Sequence, residues 1–285
     1  MNKQRLNRNK DKLFQGMGIT ATVFCMIILV IFISFVLYQG LDRLSWDFIV
    51  GLPSRFAGNA GIYTAWIGTL WVMVLTTLIS FPIGVGAGIY LEEYGKKSRL
   101  NTLLEINITN LAGVPSIIYG LLGLEVFVRI MKMGNSILAG ASTLSLLILP
   151  IIIVSTREAI RAVPKTIKEA SLALGASRWQ TIRSQILPAS FGGILTGVIL
   201  AISRAVGETA PLIVIGALAY VPFAPTGPLD EFTVLPIQIF NWVTRPQHEF
   251  VINAAAAIIV LLAITFMLNG IAVYLRYRWQ KKIRW

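Results

Sequence analysis

The 285-residue chain is 55% apolar and only 13% charged, with a mean hydropathy of +0.72, so it lacks the polar surface that a water-soluble domain needs. Its net charge of +12 does not mark a nucleic-acid surface, because the basic residues fall in short clusters between long apolar runs. A single cysteine, Cys25, sits inside one of those runs and excludes a disulfide framework or a thiolate metal site built from this chain alone.

In chain order, a basic tail (1–16) leads into an apolar run at 17–39. That run exceeds the roughly 7–15 residues of a cleavable signal core, and no small-x-small site follows it, so it reads as an uncleaved first span with an exterior loop, 17–61. Further apolar segments lie near 62–90, 103–128, 137–156, 189–219 and 251–275. Each can cross a hydrocarbon core of about 30 Å as a helix. The fold class expected is therefore all-α: a polytopic membrane protein with six transmembrane helices. Arg129, Lys132 and Gly134 supply the break between the third and fourth spans.

Orientation follows from lysine and arginine, which short cytoplasmic loops retain. Of 25 such residues, 19 fall in the N-terminal tail (Lys3, Arg5, Arg8, Lys10, Lys12), residues 92–102 (Lys96, Lys97, Arg99), residues 157–188 and the C-terminal tail, 276–285. Both tails are thus expected in the cytoplasm. On the other side, Trp46, Tyr63, Trp66, Tyr220 and Trp242 suit aromatic anchors at headgroup depth. The proline-rich stretch 220–249 suits an interfacial or re-entrant piece.

Two places carry charge in an unusual setting. Residues 157–188 mix charges with Ile167, Ala170, Leu172, Leu174 and Trp179 and turn at Gly175, which predicts helix, glycine turn, helix. On physical grounds alone that is equally a solvated amphipathic loop on the membrane surface. In the fifth span, Arg204 and Glu208 stand four residues apart, on one face of a helix and past the bilayer midplane when counted from Pro188. Arginine at such depth costs about 2.5–3.5 kcal/mol, so it must meet a partner or a watery cavity. A structural ion pair is one reading. The other is a gated anion contact, in which Glu208 neutralises Arg204 at rest and an oxyanion competes for the guanidinium fork. Ser203 and Thr209 offer hydroxyls beside it, although such groups often bond their own backbone. Pro211 removes a backbone donor and predicts a kink that can act as a hinge.

These segments carry a family resemblance. Residues 157–188 resemble the EAA loop of ABC-importer permeases at Glu169, Ala170, Ser171, Gly175, Leu187 and Pro188, with Ser171 in place of the second alanine and Gln185 in place of an aliphatic residue. Together with LAGVPSIIYGLLGLEVFV (111–128) and RAVGETAPL (204–212), they make the chain similar to permeases of the Pst phosphate importers, of PstA type rather than PstC type.

The resemblance implies a type I importer permease domain over 62–275 in a bacterial inner membrane. It implies that the EAA residues couple to a separate ATPase dimer (PstB-like). A second permease (PstC-like), a phosphate-binding protein (PstS-like) and inorganic phosphate as cargo complete the expectation. A permease for phosphonate, sulfate or molybdate remains the near alternative, since one arginine does not separate these anions. A passive channel would gain nothing from an ATPase-docking loop. An intramembrane enzyme fits poorly: there is one histidine, His248, with no G-x-S-x-G, no H-E-x-x-H and no nucleotide-binding G-x-x-x-x-G-K-[ST]. No catalytic residue, metal or cofactor is expected.

Overall fold

The computed structural model describes residues 2–95, 98–217 and 220–280. Lys96, Lys97 and residues 281–285, counted above in the positive clusters, lie outside the described residues, as do the side chains of Lys3, Arg5, Arg8 and Lys10. Among the described residues there is no strand, and a lone bridge joins Ser136 to Glu231. In chain order the helices are α1 (Asn2–Gly40), α2 (Trp46–Val50), α3 (Tyr63–Ile89), α4 (Arg99–Leu111), α5 (Ser116–Gly123) and α6 (Ile137–Arg161). They continue with α7 (Lys165–Ala173), α8 (Arg178–Thr181), α9 (Leu187–Val206), α10 (Ala210–Ile215), α11 (Leu235–Val243) and α12 (His248–Gln280). Short π-helical stretches extend α3 (Tyr90–Tyr94), extend α5 (Leu124–Ile130) and join α8 to α9 (Ile182–Ile186).

Five helical segments are long and apolar enough to cross a membrane unbroken: Asp11–Arg43, Tyr63–Tyr94, Ile137–Arg161, Arg178–Val206 and His248–Arg278. The third span corrects the expectation of a straight helix over 103–128. It is a pair, Asn101–Leu111 and Ser116–Ile130, bent by 105°. The cause is local: Pro115 has no N–H to donate and disfavours helical angles at Val114, so the chain leaves α4 in a turn closed by Gly113 N–H to Asn110 O. The fifth span departs too. The expected helix over 189–219 ends at Val206, breaks at 207–209, resumes as α10 and turns at Gly216 with φ +91°. Pro211 cannot bond the carbonyl four residues back, at Gly207, which is where the helix stops.

α6 is the hub. α3 lies against it through Gly84 and Gly88, where an added Cβ would stand 2.6 Å from Ile152 Cγ2 and 2.7 Å from Thr156 Cβ. α9 lies against its other side through Gly193 and Gly197, where an added Cβ would stand 2.7 Å from Ala159 Cβ and closer still to Ser155. Each small-xxx-small pair therefore brings a helix backbone onto α6, the packing that lipid-embedded helices favour. α1 touches the rest mainly at its C-terminal end, where Gly40 meets Ala255 and Ala256 of α12. Cys25 lies on its exposed length.

The 220–249 stretch contains a helix, α11, whose one face is buried. Trp242 is a correction: it is 1% exposed, between Phe48 and Phe250, and not an anchor at the membrane surface. Arg43 staples the same end by donating to Asn253 Oδ1 (2.8 Å) and to the carbonyls of Ala57, Gly58 and Ala60.

Candidate transport path and coupling site

α9 buries Ala201, Ala205 and Val206 in the core with Tyr119 and Ile148 and leaves the Arg204 side chain 42% exposed. Glu208, 18% exposed, lies in the break beyond the helix end and reaches Arg204 Nε at 3.5 Å. Among the described residues it is the one acid within ion-pair distance of Arg204. Thr209 sits in the same break, its hydroxyl 3.5 Å from Gly207 O. Pro211 is buried, with its Cα facing Gly120 of α5. Arg204, Glu208 and Thr209 are thus gathered at one interruption of the span. Ser203 is turned elsewhere: its hydroxyl lies 2.7 Å from both Ile199 O and Asn269 Oδ1 of α12. Asn269 was not singled out from the sequence; a lone amide in an apolar span was the available signal.

At the other site, Pro164 opens α7, and Gly175 leaves it with φ +86°, a left-handed angle that side-chain-bearing residues resist. Ser177 then starts α8 through a capping box with Gln180. Ser171 Oγ and Thr181 Oγ1, 2.9 Å apart, tie the two helices together, so the serine that departs from the family pattern has a partner that alanine would lack. Leu187 and Pro188 lie where the π-helical stretch Ile182–Ile186 passes into α9, and the widened turn accommodates the N–H that Pro188 lacks. Glu169, Ala170 and Gly175 are exposed, and so are Leu172, Trp179 and Leu174, the last at 90%. Apolar side chains projecting from a polar hairpin form a patch of the kind that meets a protein partner or a membrane surface.

Behind this hairpin lies an ion cluster that sequence reading missed. Arg157 of α6, 7% exposed, donates to Glu92 Oε2 at 3.4 Å and forms a short contact with Glu105 of α4. Arg161 bonds Glu92 Oε2 at 2.8 Å and approaches Glu105 and Glu158. Glu93, 5% exposed, accepts from Lys168 Nζ of α7 at 2.5 Å. A cavity of about 720 Å³ opens beside Glu92, Glu105 and Arg161.

Membrane-length helices, one of them interrupted at Glu208, and a polar hairpin with an exposed apolar tip are the architecture of a membrane permease. Residues 80–281 match the family described as binding-protein-dependent transport system inner membrane component, and the chain belongs to that family. It is 35% identical to the probable ABC transporter permease protein YqgI of Bacillus subtilis, over 90% of this chain and 92% of that one. It is 34% identical to phosphate transport system permease protein PstA 1 of Mycobacterium tuberculosis, over 79% and 73%. To PstA of Yersinia pestis it is 32% identical, over 95% and 91%. Among solved structures, a bacterial ABC transporter that imports the acidic polysaccharide alginate gives a TM-score of 0.67 at 15% identity, covering 95% of this chain and 96% of that one. The MetNI methionine ABC transporter gives 0.61 at 18% identity, covering 74% and 94%. These last two likenesses show the fold, that of type I importer permeases.

Proposed function

We propose that the chain is the membrane-spanning subunit through which an ATP-driven importer moves inorganic phosphate inward across the bacterial cytoplasmic membrane. Both termini and the 157–188 loop face the cytosol. An ATPase dimer (PstB-like) grips the exposed tip of α7 and α8 at Glu169, Ala170, Ser171 and Gly175. A second permease (PstC-like) and a phosphate-binding protein (PstS-like) complete the assembly.

The observation that carries this reading is the loosely held Arg204–Glu208 pair at a helix break, in a chain a third identical to permeases named for phosphate. At rest Glu208 lowers the cost of keeping Arg204 at depth. An entering phosphate offers two oxygens in the geometry of the guanidinium fork and displaces the single long contact. Thr209 supplies a hydroxyl on the same side, while Ser203, held to α12, orients the helix. Pro211 sets the hinge at which the upper segment turns. Phosphate leads over other oxyanions because the relatives are named for it; the arginine alone accepts any of them.

The test is labelled-phosphate uptake in vesicles holding the full assembly. Arg204→Gln should lower uptake by about a hundredfold or more, the scale of a lost charge-assisted contact of roughly 3 kcal/mol, with assembly intact. Undiminished uptake would reduce the pair to scaffolding. Sulfate or phosphonate outcompeting phosphate in the parent would move the substrate to the other oxyanion class.

A further inference from the structure

Arg157 stands where the coupling hairpin, the hub helix and the bent third span meet, and the bonds around it form one continuous chain. Lys168 of α7 holds Glu93, and the neighbouring Glu92 on the same π-helical turn holds Arg157 and Arg161 of α6. Arg157 passes the link to Glu105, on α4. α4 packs principally on α6 and exposes Leu103, Leu104 and Ile106, and Glu105 ties it to Arg157 and Arg161 of that helix.

The bend beyond α4 is itself bolted. Tyr119 of α5 donates its hydroxyl across the bend to Leu111 O at 2.8 Å. One residue on, Gly120 brings α5 to backbone distance of α10: an added Cβ there would lie 2.7 Å from Pro211 Cα and 2.9 Å from Val214 Cβ. α10 follows directly on the break that holds Arg204 and Glu208.

We infer that Arg157 and Glu105 are positioning residues that deliver movement of the α7–α8 hairpin, through the inner arm of the bent third span, to the Arg204–Glu208 break. The inference rests on the transport reading above. Neither residue touches the cargo. Each acts by keeping α4 in step with α6, so that α5 presses on Pro211 when the hairpin moves. The link is anchored at its arginine, which is 7% exposed, while Glu105 is 39% exposed at the edge of the cavity.

The experiment measures ATP hydrolysis and labelled inorganic phosphate uptake on the same vesicles, using the full transporter. Glu105→Gln keeps the shape and removes the charge, and phosphate moved per ATP should fall about tenfold, within the usual range of coupling between sites. Adding Arg157→Gln should deepen the loss by less than its own separate effect, because the two changes share one link. An unchanged ratio would overturn the inference, as would losses that multiply or a reduced amount of assembled transporter with a normal ratio. If Glu105→Gln does not assemble, Glu92→Gln is read by the same criteria. Should Arg204→Gln abolish uptake while Glu105→Gln stays fully coupled, this inference falls and the transport reading stands. Should Arg204→Gln transport normally, the reading itself falls.

Discussion

Arg204 meets one carboxylate, Glu208, through a single long contact and keeps much of its guanidinium open, whereas Arg157 is enclosed and shared between Glu92 and Glu105. The same two side-chain types therefore do opposite jobs. An open pair is worth at most about 1 kcal/mol, little enough for an anion to displace. An enclosed pair loses about 3–5 kcal/mol when one partner is removed, because a desolvated charge is left behind. What separates a binding contact from a fastening is the number of carboxylates and the access of solvent.

The contrast can be broken most forcefully at the enclosed site. Arg157→Met should destabilise the detergent-solubilised protein by about 1.5–3 kcal/mol, since Glu92 and Glu105 keep Arg161 as a partner; it is read as a lowered thermal midpoint, and a shift no larger than that of Arg204→Gln would erase the distinction. A smaller effect is expected at the open site. Glu208→Gln removes the resting competitor of the cargo, so the apparent KM for phosphate should drop by about fivefold, equivalent to ~1 kcal/mol, while maximal uptake slows as release becomes harder. An unchanged or raised KM would mean that Glu208 is no gate.

Asp230 gives the smallest effect. Backbone N–H groups of Thr226 and Gly227 and the Thr226 hydroxyl donate to its carboxylate and hold its pKa below the ordinary 3.8. A depressed value means that its contribution is complete above the ordinary value and is lost as pH falls through the folded one. Hydrogen-exchange protection of the 226–230 turn should therefore stay level between about pH 5 and 8. Loss of protection within that window would contradict it.

The large features were legible because each has a one-dimensional signature: apolar length for the spans, a glycine between two amphipathic stretches for the hairpin, an arginine inside an apolar run for the open pair. The enclosed cluster has none. Glu92 and Glu105 stand 65 and 52 residues from Arg157, and a tally of basic residues counts Arg157 and Arg161 as markers of orientation without pairing them. The bend of the third span was written in Gly113, Val114 and Pro115, but averaging hydropathy over a long window passes across three residues. For Trp242, a tryptophan near a predicted span end looks like an anchor; its burial depends on Phe48 and Phe250, which only the folded loop brings together.

The glycine seams along α6 have a mechanical consequence. At each of these contacts a glycine with no side chain to yield meets a short α6 side chain (Ile152, Thr156, Ala159 or Ser155), so α6, α3 and α9 form a close-packed block with little slack. Compliance is then concentrated at the interruption 207–209, because the bend at 112–115 is bolted by Tyr119, and displacement applied at one end of the bundle should reappear at 207–209 as rotation.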